Sequence, residues 1–161
     1  MTTGPSASSS TPAFEPADAG FEARTRESFA KQGAMAHLGA VLGRVEPGHV
    51  EIELPFRAEL SQQHGFFHAG IVATVADSAG GYAAYTLYPA DAGVLTVEFK
   101  VNLMAPADGE RIVAAGRVVR SGRTVTVAAF DVHVHKGERR THCATGLQTI
   151  MRIVGRAGVQ G

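Results

Sequence analysis

Hydrophobic and polar positions change their spacing several times along this chain of 161 residues. Residues 20–36, GFEARTRESFAKQGAMA, set Phe21, Phe29 and Ala30 among charges, which predicts a short amphipathic helix covering an edge or an entrance. From His49 to Leu54 the period is two, with Val50, Ile52 and Leu54 against His49, Glu51 and Glu53. With Pro47-Gly48 as a turn signal, residues 37–57 read as a hairpin. Residues 60–88, LSQQHGFFHAGIVATVADSAGGYAAYTLY, follow as a turn-rich approach and then a helix from about His68 to Tyr88. Apolar and small residues run nearly all the way round that helix, which predicts a buried one.

Beyond Pro89–Gly93 the period returns to two. Residues 94–104 alternate Leu95, Val97, Phe99, Val101 and Leu103 against Thr96, Glu98, Lys100 and Asn102. Residues 111–120 form another strand, and Ser121-Gly122-Arg123 a tight turn. Two more strands, TVTVAAFDVHVH and HCATGLQTIMRI, are joined by the charged turn Lys136–Arg140. The predicted order is helix, two strands, one long buried helix, then four strands in a meander. One helix against about six mostly antiparallel strands is satisfied by a curved sheet rolled round the helix, an α+β fold.

Asp77 is the lone acid of the central helix, and no Lys or Arg lies in the helix to pair with it. A buried carboxylate without a partner is costly, so it needs either a structural reason or a chemical task. The helix also carries the adjacent pair Gly80-Gly81. Glycine costs up to about 1 kcal/mol in a helix relative to alanine, and close approach of another backbone would justify it.

Composition narrows the function classes. Lys+Arg and Asp+Glu are both 15, so the formal charge is zero and no basic face suggests nucleic acid. The single Cys143 excludes an internal disulfide framework and suits a reducing compartment. No apolar run reaches the roughly 18–20 residues of a membrane span. Residues 1–19 are rich in Ser, Thr, Pro and Ala, with neither the basic start nor the apolar block of a signal peptide. They are expected to be a disordered tail, with a single domain over 20–154, a loose tail over 155–161 and a cytoplasmic location. Asp131, His133 and His135 share one face of a strand, but same-face neighbours stand about 6.5–7 Å apart and no fourth ligand is apparent. No metal and no bound cofactor is expected.

Gln62-x-x-Gly65-x-x-His68-Ala69-Gly70, followed by Asp77, resembles the N/Q-x-x-G-x-x-H-G-G…D/E signature of hot-dog-fold acyl-CoA thioesterases of the PaaI-like, phenylacetyl-CoA type. The resemblance runs over about residues 35–153 and includes the strand order and Met104-Ala105-Pro106. It implies a hot-dog fold and homodimers, often paired into tetramers. Ala69 departs from the first glycine of the signature; its backbone N–H survives, while the added methyl narrows the approach to a thioester.

Thioester hydrolysis needs a donor for the developing oxyanion and a carboxylate that attacks or activates water. The first turn of the helix is expected to offer the N–H groups of Ala69 and Gly70 at the positive end of the helix dipole, with Asp77 as base or nucleophile. Seven residues separate Gly70 from Asp77, roughly 10 Å along a helix. Reacting atoms must come within about 3–3.5 Å. Asp77 is therefore expected to serve an oxyanion hole on a second subunit, in a dimer with two composite sites.

Around this pair, Gln62 is a candidate to bond the thioester carbonyl or hold the water, and His68 to fix the loop or touch substrate. Thr96 matches the position where related thioesterases carry a hydroxyl that orients water near the acid. Gly65 shapes the turn; Phe66, Phe67, Tyr82 and Tyr85 are candidates for an acyl or aryl pocket. The Arg120-Ser121-Gly122-Arg123 turn suits CoA phosphates. Each has a plainer alternative: a solvated amide, a cap histidine, a strand threonine, core aromatics, an exposed basic turn. The reading favoured is an acyl-CoA thioesterase. A non-catalytic acyl-CoA-binding module and an acyl-CoA hydratase or dehydratase are the alternatives.

Overall fold

A computed structural model gives the architecture of the described residues, 14–156; the outer parts of both expected tails lie outside them. Two short helices, α1 (Phe21–Ala30) and α2 (Gly33–Leu38), stand where one was expected. The chain leaves the helical region at Gln32, with ψ 100°, and α2 ends on Gly39 at φ 75°, a left-handed cap that glycine adopts without strain. The predicted hairpin follows as β1 (Val41–Glu46) and β2 (His49–Pro55). A 3-10 turn (Ala58–Leu60) leads to α3 (Ala69–Tyr85), then β3 (Ala92–Leu103), β4 (Arg111–Ser121), β5 (Val125–Lys136) and β6 (Arg139–Val154). The sheet order is β1-β2-β4-β5-β6-β3, every pairing antiparallel.

That order corrects the expected four-strand meander. Strands β4, β5 and β6 do follow one another, but β3 pairs with β6 at the far edge and β4 lies beside β2. Period-two patterning reports which face a residue points to and carries no information about the neighbouring strand.

The concave face of the sheet wraps α3 through Val50, Ile52, Leu54, Ile112, Ala114, Phe130, Val132 and Ile150, all without exposed surface. The approach is close at Gly116 on β4. A Cβ there would lie 2.3 Å from the Ala79 backbone of α3, so only glycine lets strand and helix meet at this distance. At the other end α1 caps α3: the Arg24 guanidinium donates to the Tyr85 and Tyr88 carbonyls at 3.3 and 2.8 Å. A cation there satisfies orphan carbonyls at the negative end of the helix.

Two expectations change here. The central helix is buried all round only from Ala79 onward; His68, Ala69, Gly70 and Thr74 are exposed, and Ala73, Asp77 and Ser78 half-exposed. The sheet covers one side of this first half and leaves the other open. The domain also begins before residue 20. Phe14 packs on Gly48, the Ala17 N–H donates to the Leu87 carbonyl, and Asp18 pairs with Arg24 at 3.0 Å.

Candidate active site

The approach to α3 is a closed turn. The Gln62 N–H donates to the Phe66 carbonyl and the Gly65 N–H to the Gln62 carbonyl, while Gly65 sits at φ 82°, in the left-handed region. A bridge between Ser61 and Phe67 closes the turn, and the Gln62 side-chain carbonyl accepts from the His64 N–H. His68 then starts the helix in an extended conformation, and its Nδ1 accepts from the Gly70 N–H at 3.0 Å. This corrects the expected pair of free amides: the Gly70 N–H is occupied by the cap. The Ala69 N–H has no partner among the described residues. Ala69 lines a cavity of about 480 Å³ with Gln62, Phe66, Phe67, Val72 and Met104. Cys143 also borders it, but burial pushes its thiol up to about 11, so it is no nucleophile near neutral pH.

Asp77 stands two turns further along α3, half-buried. Opposite it, β3 carries a bulge. Thr96 pairs with Ile150 and Phe99 with Gln148, with the register shifting between Thr96 and Glu98. Ile150 and Gln148 both face inward and are buried, and directly opposed residues share a face. The extra residue therefore sets Thr96 on the helix side of β3 together with Phe99, both still exposed at the sheet edge, although strict alternation assigned them opposite faces. Thr96 Oγ1 donates to Asp77 Oδ1 at 2.8 Å. Gln148 Nε2 donates to the same Oδ1 at 3.3 Å and to the Asp77 main-chain carbonyl at 3.2 Å. Burial raises the Asp77 carboxyl above its ordinary range, and the Thr96 bond opposes that shift.

Asp77 lines its own cavity, of about 260 Å³, with Gln32, Ser78, Gly81, Tyr82 and Thr96. No residue borders both this cavity and the one at Ala69. Within one chain the acid and the free amide are separate.

Residues 64–143 match the thioesterase superfamily. A thioesterase family protein from Silicibacter pomeroyi superposes with a TM-score of 0.83 at 48% identity, over 84% of this chain and 100% of that one. Acyl-coenzyme A thioesterase 13 of Homo sapiens is 30% identical over 98 residues, 57% of this chain and 69% of the relative. The chain belongs to the thioesterase superfamily. The PaaI protein from the phenylacetic acid degradation operon of E. coli shares the fold, with a TM-score of 0.74 at 16% identity over 84% of this chain and 94% of that one. The architecture is the hot-dog fold the resemblance implied, and the protein is a thioester hydrolase.

The remaining candidates of the thioesterase divide between its two cavities or fall outside both. Phe66 and Phe67 lie at the amide end, with Phe67 edge-on to Phe56 at 5.2 Å. Tyr82 borders the acid's cavity, its hydroxyl bonded to Ser28 at 3.2 Å. Tyr85 borders neither cavity; it is fully buried under the Arg24 guanidinium, 4.1 Å from the ring centre, and belongs to the core. Arg120 is exposed at the end of β4 and Arg123 on the β4–β5 turn, both away from the cavity linings, and Gly122 closes that turn through its N–H to the Val125 carbonyl. Asp131, His133 and His135 lie on the outer face and are engaged with neighbours. Asp131 accepts from Thr145 and meets His142, His133 stacks on His142 at 4.6 Å, and His135 contacts Arg111.

Sequence reasoning missed Gln148. Its signal was an amide among Ala144, Gly146 and Ile150, on what is otherwise the core-facing side of its strand.

Proposed function

We propose that this thioesterase hydrolyses an acyl-CoA or aryl-acyl-CoA thioester to the free acid and CoA, at two composite sites of a homodimer. The observation that carries the reading is the separation of Asp77 from the Ala69 amide within one chain, each in its own cavity. Both lie on the uncovered side of α3, beside a sheet edge that is apolar and open. Leu95, Val97, Phe99 and Leu103 of β3 are 43–57% exposed, and an apolar free edge of this kind is normally covered by another strand. A second copy related by a two-fold axis, with its α3 antiparallel, brings Asp77 of one subunit to the Ala69 end of the other. The named relative in Homo sapiens supports CoA as the leaving group. Pairing of dimers into tetramers rests on the family resemblance alone, and a cytoplasmic location on the free, buried Cys143.

In this reading the thioester oxygen accepts from the Ala69 N–H at the positive end of α3. Asp77 takes a proton from water as the water oxygen bonds to the thioester carbon, or attacks that carbon itself to form an acyl-Asp77 anhydride that water then cleaves to the free acid, releasing the proton that the thiolate takes up. The tetrahedral intermediate collapses with cleavage of the C–S bond, and the proton goes to the departing thiolate. Gln62 spends its carbonyl on the turn and keeps its NH₂ for the substrate oxygen or the water. His68 holds the helix start; Gly65 holds the turn before it. Phe66 and Phe67 receive the acyl group, Tyr82 borders the water side, and Arg120, Gly122 and Arg123 meet the CoA phosphates.

The test is complementation between two inactive chains, Asp77→Asn and Ala69→Pro. Each homodimer loses both sites. A heterodimer keeps one site whole, so equal mixing after unfolding and refolding should restore about a quarter of the wild-type rate. No recovery from a mixture shown to contain heterodimers would place both groups in one chain and remove the composite site. Absence of turnover by the wild type on a panel of acyl-CoA thioesters would remove the substrate assignment.

A further inference from the structure

Gln148 carries two local costs that a simpler core would avoid. It is 1% exposed on the inner face of β6, and its Oε1 has no hydrogen-bond partner among the described residues. A buried acceptor without a donor is unfavourable, and a leucine would fill much the same space without one. The amide also demands a glycine in the middle of α3: a Cβ on Gly80 would lie 2.1 Å from Gln148 Oε1. Both costs converge on one carboxylate. Turned the other way, the amide would set its oxygen against the Asp77 carbonyl and carboxylate, two further acceptors; its present orientation donates to both.

We propose that Gln148 is a positioning residue for Asp77, seated in a notch made by Gly80, and that with Thr96 it occupies Oδ1 and leaves Oδ2 as the reacting oxygen. This rests on the proposed role of Asp77 as base or nucleophile. Two donors on one oxygen fix the rotation of the carboxylate plane and favour its charged form. Bonding to the Asp77 main-chain carbonyl ties the same amide to the helix, so carboxylate and backbone are held as one unit. Gln32 faces Asp77 from before α2, Ser78 and Tyr82 from α3, Thr96 from β3 and Gln148 from β6. Within one chain Tyr82 is the one titratable group among them, and no Lys, Arg or His borders the cavity among the described residues; in the proposed dimer His68 of the partner subunit, next to Ala69, comes to the same side.

The experiment compares wild type with Gln148→Leu in two measurements: the pH profile of kcat/KM on an acyl-CoA thioester, and the titration of the Asp77 carboxyl carbon followed by NMR. Loss of the donor should move the acid limb of the profile and the carboxyl titration upward together, by about 0.5–1 pH unit. The kcat should fall about tenfold while KM stays within about twofold, since a group orienting the reacting oxygen acts on the chemical step. The thermal midpoint should not drop, which separates this role from a structural one. If Gln148→Leu does not fold, Gly80→Ala, which displaces the amide by its added methyl, is read in the same way. An unchanged profile and an unchanged carboxyl titration in a folded dimer would overturn the proposal. The NMR titration keeps the two readings apart: if Asp77→Asn stays active the proposed function fails, whereas an unmoved carboxyl titration fails Gln148 alone.

Discussion

Thr96 on β3 donates its hydroxyl to Asp77 Oδ1 on α3 over 2.8 Å, and the contact exists because β3 bulges beside Thr96. Strict alternation would point this threonine away from the helix. A hydrogen bond to a charged group is worth about 1.5–3 kcal/mol, or roughly 10- to 100-fold in rate if it is needed in the transition state. Thr96→Val is therefore expected to lower kcat/KM by about that factor and to move the acid limb upward, while Thr96→Ser keeps both near wild type. Steady-state kinetics on the three proteins check this.

Asp77 sets the pH dependence. Burial outweighs the Thr96 bond and raises its carboxyl above the ordinary value near 3.9. Activity that needs the carboxylate should rise with pH along an acid limb centred above that value. The folded chain holds this proton more tightly than the unfolded chain does. The group thus favours folding below the unfolded value, and that contribution is lost as pH rises through the raised folded value. Asp77→Asn removes the charge and keeps an acceptor for Thr96 and Gln148. It is expected to lose about 10²–10⁴-fold in kcat and to melt no lower than wild type at pH 7. A clear fall in the melting midpoint would mean that the charged acid supports the fold.

Ala69 tests the oxyanion donor with little disturbance of the helix. It is the first residue of α3, and His68 before it has φ −63° and ψ 136°, the extended conformation that proline requires of its predecessor. Ala69→Pro should fold with the wild-type circular dichroism spectrum and lose about 10²–10³-fold in kcat. Full activity in that variant would show that the Ala69 N–H takes no part.

Gly116 tests the packing that carries the site. A methyl there meets the Ala79 backbone at 2.3 Å, and a backbone cannot yield as a flexible side chain does. Gly116→Ala is expected to destabilise by about 3 kcal/mol, read as a lower urea midpoint with an unchanged slope. An unchanged midpoint would mean that α3 and β4 are less tightly apposed than the structure shows.

Residue type and spacing alone were enough to read the elements and much of the chemistry. Its changes of period marked the hairpin, the helix and the later strands, and the run from Gln62 to Asp77 located both the helix start and the acid, because these are local properties of spacing and residue type. Folding settled what depends on neighbours distant in the chain. It set β3 at the far edge beside β6, turned Thr96 to the helix side through the bulge, and brought Gln148 beneath an acid 71 positions away. It also left half of α3 open, since whether an apolar or small residue is covered depends on where the sheet ends. The His68 cap on Gly70 is local in sequence, yet it rests on a ring orientation that residue spacing does not encode. Periodicity assigns each residue a face, and only the folded chain assigns that face a partner.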